Sequence, residues 1–250
     1  MGRLKPGWGI VPIIIFLILW EFIARLNLVQ GQSLLPPFSA TMEEFWLLAK
    51  SGILADNFLA SLIRVLIGFT AGSVAGIALG IIMGWNKFMD RGLNPIFSLL
   101  YPIPALGWLP LFMLWIGINE LLPIAIIFVC SFFPVLYNTI TGVKTVDQTY
   151  VQAARTLGAS DLKILATVVW PLALPNIFTG LRLEAGMAWR VIIAAEMVAI
   201  PTGLGALLMR AESLIRVDII IVVLIVLAVM CLSFERFFAH LEWRFTKKWG

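Results

Sequence analysis

Between Asn94 and Val143 the chain carries a single charged side chain, Glu120. A stretch of that length without charge cannot be the surface of a soluble domain, where about a quarter of residues are charged. It is also too long for one membrane-crossing helix, which needs about 20 mainly apolar residues, and it suits two. Gly117-Ile118-Asn119-Glu120 marks the break, with Pro123 opening the second helix. The same criterion picks out four further runs: Trp8 to Ile23, Leu62 to Trp85, Pro171 to Ile200 and Asp218 to Phe238. Six helices account for the chain, and no strand-period stretch competes with them. Composition agrees. Hydrophobic residues make up 61% and charged residues 13% of the 250 positions, so lipid is the solvent for most of the chain. The expected fold is all-α, a polytopic membrane protein with six transmembrane helices.

Arg3 and Lys5 precede the first run, as in a signal peptide. No small-x-small cleavage site follows, because Trp20, Glu21 and Phe22 occupy that region, so the run reads as a retained anchor. Orientation follows from Lys and Arg in the short loops. With the N-terminus inside, the inner segments hold Arg3, Lys5, Lys87, Arg91, Lys144, Arg155, Lys163, Arg236, Arg244, Lys247 and Lys248. The outer segments hold only Arg25, Lys50, Arg64, Arg210 and Arg216. Both ends are therefore expected in the cytoplasm. The pI of 9.3 reflects this topology charge rather than a nucleic-acid surface, because the basic residues are scattered between apolar runs.

Two loops are more than connectors. The outer one contains Leu34-Leu35-Pro36-Pro37 and then Met42 to Ala49, an amphipathic helix candidate lying along the membrane. The inner one, residues 144–170, is moderately polar and lacks Pro and Gly except Gly158 before its closing Pro171. It reads as two short helices meeting at Gly158, the first capped by Asp147.

Three helices carry marked patterns. Gly68, Gly72, Gly76, Gly80 and Gly84 form a stripe with a four-residue spacing. Glycine costs about 1 kcal/mol against alanine in a helix interior, so the stripe implies close backbone approach, within one subunit or between two. Pro102, Pro104 and Pro110 exclude one straight helix, leaving a structural kink or the lining of a transport pathway. The fifth span holds Arg182, Glu184, Arg190 and Glu196. Arg182, Trp189 and Glu196 are seven residues apart and share a face, with Arg182 expected near the inner interface and Glu196 wetted near the outer end. Pro102, Pro104, Trp108, Arg182, Trp189 and Glu196 are the pathway candidates.

Covalent chemistry has no visible carrier. There is no G-x-x-x-x-G-K-[ST] phosphate loop, no G-x-S-x-G elbow and no H-E-x-x-H. His240 is the one histidine, and Cys130 and Cys231 lie in apolar runs, so no metal cluster is expected. Energy for uphill transport would have to come from an ion gradient or a partner.

The inner loop reads Gln152-Ala153-Ala154-Arg155-Thr156-Leu157-Gly158, followed by Val168-Val169-Trp170-Pro171. This resembles the EAA loop of the permeases of bacterial-type ABC importers: Glu-Ala-Ala, three residues, Gly, nine residues, Ile-x-Leu-Pro. Ala153, Ala154, Gly158 and Pro171 match in register, while Gln152, Val168 and Trp170 replace Glu, Ile and Leu. Leu114-Trp115-Ile116-Gly117, Phe132-Phe133-Pro134, Asn138-Thr139, Gly180-Leu181-Arg182, Ala188-Trp189-Arg190 and Ala195-Glu196-Met197 look like the nitrate/sulfonate/taurine/bicarbonate branch. The resemblance covers roughly residues 57–241, which it makes a permease core of five spans. It leaves 1–56 as an anchor with an outer loop and 242–250 as a basic tail. It implies a type I importer permease in the inner membrane of a prokaryote, working as a homodimer. It further implies two cytoplasmic ATPase subunits, which hold the ATP and Mg, and an extracytoplasmic binding protein. The chain itself would bind no cofactor and no nucleic acid and perform no catalysis. Gln152, Ala153, Ala154, Arg155 and Gly158 would couple to the ATPase, with Ala153 and Ala154 offering a close-fitting face. The solute would be a small anion of the nitrate, sulfonate or bicarbonate class, or a vitamin precursor. An ATP-independent transporter or channel, or a membrane scaffold, are the rival readings.

Overall fold

The glycine stripe organises the centre of the molecule. In a computed structural model that describes residues 11–26 and 34–246, helix α3 (Ile53–Trp85) lies against α6 (Leu121–Lys144) along the length of the stripe. A Cβ at Gly68 would stand 2.7 Å from the Ile124 carbonyl oxygen, and one at Gly76 2.7 Å from that of Phe132. Gly72, Gly80 and Gly84 meet Phe128, Thr139 and Val143 as closely. The five glycines thus face a helix of their own chain. On its other side α6 meets α9 (Trp170–Ala199), where Gly142 sits on Ala173 and Asn176, and Gly180 on Asn138. α11 (Val217–Thr246) packs against α9 through Phe234 and Trp189. It is the most apolar span, and little of it is buried, as expected of a surface that faces acyl chains.

Shorter helices complete the chain. α1 (Val11–Arg25) packs on α2 (Phe38–Lys50), the surface helix expected after the double proline, and the indole of Trp20 donates to the Pro36 carbonyl at 3.1 Å. α4 (Lys87–Leu100) leads through Pro102 and Pro104 into a 3-10 turn (Ala105–Trp108) and α5 (Leu109–Trp115). α7 (Gln148–Thr156) and α8 (Asp161–Ile164) form the elbow. α8 runs through a π-helical turn, Leu165–Val169, into α9. Pro171, which has no N–H to donate to the preceding turn, lies just beyond this wider turn. α10 (Leu204–Ser213) closes the end of the bundle opposite the elbow.

Several expectations change. Four helices are long and apolar enough to cross a membrane, or five if α4 and the segment after it form one span broken by 86°. The expected first span begins outside the described residues, and its described part, α1, has 15 residues. The six-span count therefore reduces to four or five among the described residues. The third span is bent because Pro102 and Pro104 interrupt hydrogen bonding on either side of Ile103. α3 starts nine residues before Leu62, so Arg64, counted above with the outer segments at the edge of the expected span, lies buried about three turns inside a spanning helix. α11 runs unbroken past residue 241. Arg3, Lys5, Lys247 and Lys248 lie outside the described residues.

Candidate functional site

The elbow is held by local chemistry at each turn. Asp147 caps α7 by accepting from the Thr149 N–H at 2.8 Å, and that bond holds its carboxyl below the usual range. Gly158 ends α7 at φ +80°, a left-handed conformation that side chains resist, and the Ala159 N–H returns to the Ala154 carbonyl at 3.0 Å. Ser160 then caps α8. Val151 turns inward and packs with Val143, Val146, Ile164 and Val169, fastening the elbow to the bundle. Ala154 shares that inward face and is half-buried, because positions 151 and 154 are neighbours on a helix. It therefore does not sit beside Ala153 on the free surface. Gln152, Ala153, Arg155 and Gly158 are exposed, and Arg155 pairs with Asp161 at 3.0 Å. Three large apolar side chains stand out with them: Tyr150, Leu157, which is 88% exposed, and Leu162.

The pathway candidates separate into two groups. Pro102 and Pro104 are exposed and line a cavity of ≈ 320 Å³ whose far wall holds Cys130 and Glu184. The Cys130 thiol donates to the Glu184 carboxylate at 3.5 Å. Trp108 packs beside Phe112 with its indole N–H unpartnered. Arg182 and Glu184 also line a second cavity of ≈ 610 Å³, where Arg182 lies 3.8 Å from Glu235 and 3.5 Å from Glu242. Trp189 and Glu196 have no exposed surface at all. Trp189 is stacked on Phe58 and edge-on to Phe234. The face shared by Arg182, Trp189 and Glu196 is thus no continuous wet lane. Arg182 looks outward, and the other two are core.

Glu196 is buried rather than wetted because a polar cluster encloses it. Arg64 donates from Nη1 to Glu196 at 2.6 Å and to the Thr202 carbonyl at 2.9 Å. Its Nε and Nη2 grip both oxygens of Glu120 at 2.6 and 2.8 Å, and Nη2 also reaches the Thr202 hydroxyl. All five guanidinium N–H groups are used. The N-terminus of α10 has no cap of its own, since Gly203 occupies that position. Its first three amides are taken by Asn57 at 2.9 Å, Ser61 at 2.9 Å and Glu196 at 3.0 Å. A carboxylate there also meets the positive end of the helix dipole. A Cβ on Gly203 would collide with the Glu196 carboxylate, so the glycine is required by contact as well as by its φ of +108°. The cluster ties α3, α6, α9 and α10 together. The one signal for it in the sequence is a lone Arg between Ile63 and Val65.

The arrangement is a helical bundle with an exposed, capped elbow at one end, a polar clasp at the other and half-buried charges between. The profile of the family described as binding-protein-dependent transport system inner membrane component matches residues 76–247. The chain belongs to this family of importer permeases. The permease is 34% identical over 256 residues to the taurine transport system permease of Escherichia coli, covering 98% of this chain and 93% of the relative. It is 34% identical over 240 residues to the nitrate import permease of Synechocystis, covering 93% and 86%. It is 36% identical over 253 residues to the bicarbonate transport system permease of Synechococcus elongatus, covering 96% and 88%. The permease fold is that of the MetNI methionine ABC transporter in an inward-facing conformation. The TM-score is 0.66 at 15% identity, over 78% of this chain and 96% of that one.

Proposed function

We propose that the permease works as a homodimer with two cytoplasmic ATPase subunits and an extracytoplasmic binding protein, importing a small solute that bears an oxyanion group. Taurine, nitrate and bicarbonate, the solutes named for its relatives, share that group. The elbow carries the reading. Tyr150, Leu157 and Leu162 form an apolar surface suited to a groove on a soluble partner. α8, the π-turn and α9 run continuously from Asp161 to Ala199, so a push on the elbow is delivered along the helix that bears Arg182, Glu184 and Arg190. Closure of two ATPase subunits would rock this unit as a rigid body and alternate access. Elbow, ATPases and both chain ends would then lie in the cytoplasm.

The test is flux of labelled nitrate or taurine into vesicles holding the assembled complex. Wild-type flux requires ATP on the side of the elbow. Gly158→Val forces a branched side chain into a left-handed position, at a cost of about 1–2 kcal/mol. It should uncouple ATP hydrolysis from flux while leaving membrane insertion intact. Normal coupled flux in this variant would remove the elbow from the mechanism.

A further inference from the structure

Among the described residues, Arg190 makes no ion pair, although it shares a cavity with other charged side chains. The Cys231 thiol approaches the Gly186 carbonyl at 3.7 Å, which sets Gly186 level with the middle of α11. Arg190 is one helical turn away, about 6 Å further along α9. The side chain is exposed in the protomer at that depth. It does not reach for the nearer end of the helix. It leans back toward the α9 N-terminus, where Nη1 meets the Met187 thioether at 3.5 Å. That partner is a soft, neutral sulfur atom, and no ion pair to Arg190 is found among the described residues.

The space in front of it is the ≈ 610 Å³ cavity, which Arg190 shares with Arg182, Glu184, Glu235 and Glu242. Two of these carboxylates face Arg182. The third, Glu184, is buried and turned toward the Cys130 thiol. Gly186, between the two arginines, has nothing within 4 Å of where a Cβ would be, so the floor of the cavity is open. An arginine facing acyl chains at this depth would cost about 2.5–3.5 kcal/mol on insertion scales, so such residues face a wet cavity or a partner. A guanidinium presents paired N–H groups that match two oxygens of one oxyanion.

We propose that Arg190 is the anion-recognition residue of the translocation pathway, its unpaired guanidinium meeting the oxyanion group of the solute in the α9–α11 cavity. This rests on the importer reading above and assigns the solute class to a residue. Glu235 and Glu242 lie beside Arg182, so among the described residues lining the cavity Arg190 is the cation without an ion pair.

The experiment uses the assembled complex in proteoliposomes. Arg190→Cys, made in a Cys130→Ala/Cys231→Ala background, should react with a membrane-impermeant charged thiol reagent. Nitrate or methanesulfonate should slow the reaction. Arg190→Gln should raise the half-saturating solute concentration for flux about tenfold or more, the loss expected for one charge-assisted contact. Arg190→Lys should recover part of it, keeping the charge without the fork. Equal amounts of complex in each preparation separate these effects from assembly. A cysteine at 190 that stays unreactive in both nucleotide-free and ATP-bound complex overturns the proposal. So does half-saturation by Arg190→Gln within twofold of wild type, with ATP-driven import itself standing. A wild-type complex that moves no solute in response to ATP overturns the importer reading and this inference with it.

Discussion

The clasp at Arg64 allows a sharp test, because one guanidinium serves two carboxylates in opposite environments. Glu196 has no exposed surface, whereas the Glu120 side chain is 66% exposed. Arg64→Ala leaves Glu196 buried with only the Ser61 hydroxyl and the Gly205 amide for partners. Breaking a buried pair from one side costs about 3–5 kcal/mol, because the remaining charge has lost its compensation. Glu120→Ala removes a solvated partner, leaves Arg64 paired with Glu196 and leaves two N–H groups of a buried guanidinium to whatever water can enter in its place, a loss of about 1–3 kcal/mol. At about 2–4 °C per kcal/mol for a chain of this size, Arg64→Ala should lower the unfolding midpoint by about 6–20 °C. Glu120→Ala should lower it by about 2–12 °C on the same scale, less than Arg64→Ala. The assay is thermal unfolding of the purified complex in detergent. The double variant Arg64→Ala/Glu196→Ala removes both charges and should be less destabilised than the two single changes added together. Equal shifts for Arg64→Ala and Glu120→Ala, or strict additivity in the double variant, would refute the idea that burial decides the value of these bonds.

Two further outcomes follow from the packing and the elbow. Gly72→Val places a Cβ 2.5 Å from the Phe128 carbonyl oxygen, while Gly92 in α4 has nothing within 4 Å. Gly72→Val should cost about 1–3 kcal/mol of stability by prising α3 from α6, whereas Gly92→Ala should be neutral or gain up to about 1 kcal/mol of helix propensity. Unfolding midpoints of the two variants check the contrast. Asp147→Ala should fray α7, seen as faster amide exchange of residues 148–152. The Asp147 carboxyl titrates below its unfolded value, so its contribution is full above the ordinary carboxylate range and disappears as pH falls through the lower folded value. Exchange in wild type should therefore approach that of Asp147→Ala only in acid.

Legibility divides along the physics of range. The break at Gly117 was readable because Gly117 adopts φ +82° and Asn119 caps the next helix by accepting from the Leu121 N–H at 2.9 Å, both local acts. The elbow was readable for the same reason, through Asp147, Gly158 and Ser160. Arg64 reads as an outer charge because it stands two residues from the start of the apolar run at Leu62, while the helix begins at Ile53 and passes through the polar Asp56 and Asn57 first. Nothing in the run announces that its one arginine will meet carboxylates at positions 120 and 196. Ala153 and Ala154 looked alike as adjacent small residues. Adjacent residues of a helix point about 100° apart, and the packing of Val151 against Ile164 decides that Ala154 is the one turned inward.

Solvent class, the glycine stripe and the turns of the elbow follow from the sequence alone, because apolar runs, glycines and caps act through bonds within a few residues. The tertiary structure decided which charges are silent and which are free. Glu196 is enclosed by α3 and α10, Arg182 is held beside α11, and Arg190 keeps an open cavity in front of it. The energy of a charge depends on what other elements bring within about 4 Å of it, and spacing along the chain does not encode that.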